Sequence, residues 1–299
     1  MKHIRITALL HLRVPVAVGV LLLAASTPGH AQVDDPHPDD VPRSFRVTPF
    51  RVTPSRSMPY RGAVASAPAP APAAPPAAAP VSAARARSSA AAAAGDALRT
   101  LGARVGRTSD PTALRTALEA YYAYRDAHPE QVRKPYLYFV DFGLGNASPR
   151  GWVFDMDAHR VVEGPFMVAH GRGSGPRNGV PKKFSNRPGS YASSLGLYLA
   201  QETYTFSGTA NGRRYTSVGL RMRGESGSFN GAARARGIVA HGAPYVSARE
   251  SGRSEGCPAM EPARARRLLP LIADGGVVFI YSPNDSRWLR RDPWVNAAS

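Results

Sequence analysis

Apolar and polar positions follow two different rhythms along this chain, and the change falls near residue 135. Before it, Leu114, Leu118, Tyr121 and Tyr122 recur close to one helical face. They follow Asp110, a capping residue, and Pro111, which suits a first helical position. The spacing predicts a helix over residues 111–126, ended by His128-Pro129. After residue 135 come short runs of strand formers: 136–142 (YLYFVDF), 151–154 (GWVF), 161–162 and 166–169 (FMVA), with a turn at Asp157-Ala158. Tyr198, Tyr204, Phe206, Leu220 and Met222 continue the style. A second helix is expected over residues 262–272, bent at Pro270, with a stop at Gly275-Gly276 and a last strand over 277–281. Short strands joined by Gly, Asn and Asp predict a mainly β domain with a few helices, an α+β fold of antiparallel character, over residues 110–285. A basic tail, residues 286–299, carries Trp288 and Trp294, whose packing the pattern leaves open.

The first third lacks such patterning. Residues 1–31 have a charged start (Lys2, Arg5), an apolar centre over 14–25 and small residues at Gly29 and Ala31. This is the pattern of a cleaved secretory signal, too short for a good membrane span. A periplasmic or secreted protein is expected, with no stable membrane span once the signal is removed. Residues 32–109 read as a disordered linker rich in Pro and Ala, extended over much of 63–94. The alanines of 90–94 could form helix, although Gly95 weakens its continuation. Two acidic pairs flank His37 at residues 34–40, a weak ligand set, so neither a metal nor a cofactor is expected. A pentapeptide pair, RVTPF at 46–50 and RVTPS at 51–55, is too little for a repeat architecture.

The 299 residues carry a formal charge of +17. A basic surface favours anionic partners. No recognisable nucleic-acid module accompanies the charge, and export argues against that partner. The chain has a single cysteine, Cys257. One cysteine cannot close an internal disulfide, and structural cysteines of exported proteins come in pairs. Cys257 therefore reads as a reactive group.

Its surroundings suit that role. Cys257 lies in Ser254-Glu255-Gly256-Cys257-Pro258, a turn sequence, downstream of the apolar run 238–240 that leads into His241-Gly242. A free thiol, with a pKa of about 8.5, is mostly protonated at neutral pH and needs a base. His241, at an expected strand end, is the best candidate. Gly256 would let the amides of Gly256 and Cys257 turn towards one point, where an oxyanion could be held. His170 has the same His-Gly look but is read as a structural histidine. The loop at residues 170–175 (HGRGSG) lacks the ending and spacing of a nucleotide-binding loop. Arg236 and Arg253 can grip carboxylates with two hydrogen bonds each. Ser254 should shape the turn, and Asn230 and Tyr245 are candidate walls of the cleft.

Taken together, His241-Gly242 and Ser254-Glu255-Gly256-Cys257 resemble the signature of the L,D-transpeptidases. The segments 170–175, 184–186, 189–190, 193–196, 233–236, 253–254 and 256–258 resemble one branch, the murein L,D-transpeptidase catalytic-domain family, over roughly residues 136–281. The resemblance implies a β-rich catalytic domain, a thioester on Cys257, and His241 as base and acid with its ring oriented by a backbone carbonyl. It implies Gly242 and Gly256 as partners in the catalytic set. The implied substrate is the tetrapeptide stem of peptidoglycan, cleaved with loss of D-alanine and joined to a neighbouring stem. One departure stands out. Glu255 occupies a position that is often His or aromatic in the wider family; a carboxylate there would oppose thiolate formation, so it should point outward or pair with Arg253. Hydrolysis of the same stems as a carboxypeptidase would use the same residues; in a non-catalytic wall-binding protein Cys257 would be structural. The sequence leaves the oligomeric state open.

Overall fold

The computed structural model describes residues 80–295, with side chains from residue 88 onward. The signal segment, the acidic cluster at 34–40 and the pentapeptide pair lie outside the described residues. So do the last residues of the tail, 296–299.

Two helices come first. α1 spans Pro80–Val105 and α2 spans Ala113–Ala127. The linker expected to run to residue 109 therefore gives way to helix well before its end. Ala90, Ala94, Ala97, Leu101 and Val105 recur every three or four residues and are buried. They form an apolar stripe packed on α2 and on the third strand. Gly95 does not stop the helix, because its backbone stays helical at a cost of about 1 kcal/mol relative to Ala. α2 begins two residues later than expected: Asp110 accepts from the amide and hydroxyl of Thr112 rather than capping a helix at Pro111. It also accepts from the Tyr281 hydroxyl at 2.6 Å. Asp141 accepts from the amide and hydroxyl of Ser109. The connection between the helices is thus tied to the sheet.

The strands are β1 (Tyr136–Asp141), β2 (Gly151–Asp155), β3 (Arg160–Phe166), β4 (His170–Gly171), β5 (Gly196–Ala210), β6 (Arg213–Gly224), β7 (Val239–Gly242), β8 (Arg253–Ser254), β9 (Ala259–Met260) and β10 (Val277–Tyr281). Eight of them form one sheet in the order β3-β2-β1-β10-β5-β6-β7-β9, while β4 and β8 pair separately. Most pairings are antiparallel, as expected, but β1–β10, β7–β9 and β4–β8 are parallel. All residues of β2 and β10 are buried, so the middle of the sheet is covered on both faces. α2 packs against β1 and β10, and α3 (Pro262–Ile272) against β6, β7 and β1. Pro270 lies within α3 without interrupting it. The expected strand at 166–169 is shorter than read: Phe166 closes β3, and Ala169 makes only a bridge to Ala259. In the tail, α4 (Ser286–Arg291) buries Trp288 against Phe279 and Tyr281, and Trp294 meets Tyr124 edge-on. Among the described residues no helix is long and apolar enough to cross a membrane.

If α1 belongs to the folded domain, shortening its buried stripe must destabilise the whole. Leu101→Ala is expected to cost about 2–4 kcal/mol in denaturant unfolding of the full chain. An unchanged midpoint would return these residues to the linker.

Candidate active site

The site forms where β7 meets the segment leading into β9. β7 pairs in parallel with β9, setting His241 beside Ala259 and Gly242 beside Met260. The His241 amide also points at the Pro258 carbonyl, 3.4 Å away. Cys257 immediately precedes this ladder. Its Sγ lies 3.9 Å from the Gly237 carbonyl and accepts from the Val239 amide, at the entry to β7. Sulfur and imidazole are thus carried by the same two neighbouring segments, with His241 two residues beyond Val239.

Two glycines make this approach possible. Gly256 has φ +127°, and a Cβ there would meet Ile238 Cδ1 at 2.9 Å and the Ala192 carbonyl oxygen at 3.0 Å. A Cβ on Gly242 would strike Pro262 Cα at 2.9 Å, at the start of α3. Gly242 also contributes its carbonyl, which lies 3.1 Å from His241 Nδ1. Nδ1 therefore carries the ring proton, and Nε2 keeps the lone pair a base needs. This is the backbone-oriented imidazole that the resemblance implies.

Ser254 shapes the turn. Its hydroxyl donates to the Cys257 carbonyl at 2.6 Å and accepts from the Gly256 amide at 3.2 Å. The Gly256 amide is therefore already engaged, which corrects the expected pair of oxyanion donors. The Cys257 amide donates to no acceptor among the described residues.

The remaining candidates separate. Tyr245 belongs to the site: its hydroxyl bonds that of Tyr215, and a thiolate at Cys257 would act on both. Arg236 lies near enough to Cys257 to favour its thiolate, but its guanidinium is committed. It donates to the Ser185 and Ala192 carbonyls and to the Ser194 and Ser190 hydroxyls, clamping the loop before β5. It is not an open carboxylate grip. Asn230 is wholly buried; it donates to the Leu197 carbonyl and accepts from the Ser226 amide, so it is no cleft wall. Arg253 lies in β8 beside His170 and lines a groove of ≈ 730 Å³. Arg172, Lys182 and Lys183 line the same groove, and no acid does. Glu255 points outward, its side chain 73% exposed, with Arg172 3.8 Å away. His170 is structural, as expected. It is fully buried, and the buried guanidinium of Arg150 donates to its Nδ1 at 2.9 Å. Sequence reasoning passed over Phe206 and Tyr215 as site residues; both lie on the β5–β6 hairpin that reaches over β7, and only the strand register reveals it.

Electrostatics leave both reacting groups neutral at rest. Burial pushes the Cys257 thiol up to about 11, and the Glu255 carboxylate raises it further, against the lowering by the Val239 amide and Arg236. Burial holds His241 down at about 4, with its bond to the Gly242 carbonyl acting the other way. Both shifts favour the neutral forms, thiol and imidazole.

Cys257 and a lone-pair imidazole, carried on adjoining segments of a β-rich domain, make a candidate thiol site. The comparison with known families places the chain. The L,D-transpeptidase catalytic domain matches residues 106–281, and the chain belongs to this family. No curated protein matches the chain. Among solved structures it is similar to an L,D-transpeptidase from Mycobacterium smegmatis (13% identity, TM-score 0.31), covering 50% of this chain and 59% of that one. It is also similar to an L,D-transpeptidase from Stackebrandtia nassauensis (12% identity, TM-score 0.32), covering 66% and 80%. The chain thus spans less than two thirds of the Mycobacterium smegmatis enzyme.

The resting charge state gives a direct test. Alkylation of Cys257 by iodoacetamide should climb about tenfold per pH unit through the mildly alkaline range, without levelling near pH 8.5. Glu255→Gln removes a charge that opposes the thiolate, so its curve should move to lower pH. A plateau near pH 8, unmoved in Glu255→Gln, would contradict this electrostatic account.

Proposed function

We propose that this chain is an exported, cysteine-dependent L,D-transpeptidase that cross-links peptidoglycan stems through an acyl-enzyme on Cys257. The observation that carries the reading is that Cys257, in the turn before β9, and His241, on β7, lie on adjoining segments inside the region that matches the family. In the proposed reaction Cys257 Sγ attacks the carbonyl carbon of the third stem residue while its proton passes to His241 Nε2. The carbonyl becomes an oxyanion within reach of the Cys257 amide. The C–N bond to the terminal D-alanine breaks, and the imidazolium returns its proton to the departing amine. A thioester remains. An amine of a second stem then attacks it, loses a proton to Nε2, and forms an amide as the thiol is restored.

Charge supports the choice of substrate. Stems carry carboxylates, and the groove lined by Arg172, Lys182, Lys183 and Arg253 runs beside the turn that bears the nucleophile. With Arg236 committed to its loop, this groove is the better place for those carboxylates. The outward Glu255 leaves room above the thiol.

Incubation with a carbapenem followed by intact-mass measurement tests the nucleophile: one covalent adduct is expected on the wild type and none on Cys257→Ser. His241→Ala should slow acylation by about 10²–10⁴-fold. With purified muropeptides, dimers are expected; trimmed tripeptides alone would make the enzyme a carboxypeptidase. No adduct on an alkylatable thiol would favour a wall-binding protein. Lys182→Glu with Lys183→Glu should raise KM for carboxylate-bearing stems several-fold, with kcat little changed.

A further inference from the structure

The imidazole has a second contact that the reaction scheme does not use. Phe206 of β5 stacks on the His241 ring, with centroids 4.0 Å apart and planes inclined by 19°. The two residues are not strand neighbours, because β6 runs between them. Register explains how they meet. Tyr204 of β5 opposes Gly219 of β6, Phe206 opposes Ser217, and Gly219 in turn opposes His241. Gly219 is thus the position that separates the aromatic side chains from the imidazole. A Cβ there would stand 2.7 Å from Tyr204 Cε1 and 3.0 Å from Phe206 Cβ. The missing side chain opens a gap in β6 through which the Phe206 ring crosses.

Two constraints then act on one ring. The Gly242 carbonyl selects the tautomer and holds the Nδ1 edge. A flat hydrocarbon against the face fixes the plane of the imidazole and keeps water from that side. Among the described residues no charged group shifts the ring's titration. β5 offers it Tyr204, β6 offers Tyr215 and the Ser217 hydroxyl, the loop after β7 offers Tyr245, and the turn before β9 offers Cys257 and the outward Glu255. From α3 and its start, Pro262 and Ala265 approach Gly242. Only burial and the Gly242 carbonyl set the titration of His241.

We propose that Phe206, admitted by the bare backbone of Gly219, is a positioning residue that holds the His241 imidazole in its working plane and shields it from water. The proposal rests on the reading of His241 as the base. It separates the β5–β6 hairpin from a merely scaffolding role: the hairpin supplies one wall of the proton-transfer site.

The test follows His241 itself. Its ring titration is read by NMR in the full-length protein, beside the pH profile of carbapenem acylation, for Phe206→Ala, Phe206→Leu, Phe206→Tyr and Gly219→Ala. The wild-type ring should titrate near pH 4. Phe206→Ala admits water, so the titration should rise towards about 6.5. Because the base must be neutral, the acid limb of acylation should move to higher pH with it, and the rate at neutral pH should fall about tenfold. Phe206→Tyr keeps the ring and should behave like the wild type, and Phe206→Leu should fall between. Gly219→Ala should reproduce the Phe206→Ala shift with the phenyl ring still present. If Phe206→Ala does not fold, Phe206→Leu and Gly219→Ala decide. An unmoved His241 titration in folded variants overturns the proposal. So does a moved titration with unchanged acylation. Absence of any adduct on the wild type would instead defeat the proposed function, while the titrations would still report whether Phe206 shields the ring.

Discussion

The short parallel pairing of β7 with β9 is the contact on which the candidate site depends. It spans only His241↔Ala259 and Gly242↔Met260. Parallel strands need a crossover, and the loop between residues 243 and 258 supplies it, bringing Tyr245, Arg253 and Ser254 along the way. His241 lies in that ladder and Cys257 two residues before it. Shift the register by one and His241 turns to the opposite face of the sheet. The glycines at 242 and 256 and the α3 start at Pro262 hold the register by leaving no room for another arrangement.

Around that ladder phenol rings gather beside a few charges. Tyr204, Tyr215 and Tyr245 all sense the charge state of Cys257, and Glu255 and Arg236 act on it with opposite signs. Cations are kept further out: Arg236 is tied into the loop before β5, and Arg172, Lys182 and Lys183 face the groove. On the proposed reading, the arrangement sets a ring-lined centre, where the proton would move, beside a basic rim that suits an anionic chain. Arg150 and His170 serve the same end from beneath. Arg150 is held by the Val168 and Leu144 carbonyls, and His170 anchors β4, whose partner β8 carries the turn to Cys257.

Much of this was legible before any coordinates. Runs of strand formers over β1, β2 and β10 announced the sheet, and the lone cysteine with His241-Gly242 suggested the family and a candidate site. What escaped has physical causes. α1 is packed by alanines, whose small side chains give little periodic contrast in a stretch dominated by Ala, Pro and Ser. Arg236 looked like a ligand grip because a sequence does not reveal which carbonyls surround a guanidinium. Asn230 looked like a wall because buried amides that bond the backbone are indistinguishable, letter by letter, from exposed ones. The Gly256 amide was expected to be open because its bond to the Ser254 hydroxyl arises in a turn, with Gly256 at φ +127°, that only the folded chain displays. Phe206 was read as one more strand residue, since its contact with His241 exists only across a third strand.

The protonated resting state of Cys257 carries one more consequence. Peroxides attack thiolates far faster than thiols, and sulfenic acid is the first rung of irreversible loss. A sulfur with its proton held this firmly survives in oxidising surroundings that would inactivate an acidic cysteine. On the proposed reading of Cys257 as nucleophile, the burial that disfavours its thiolate would also make the sulfur durable.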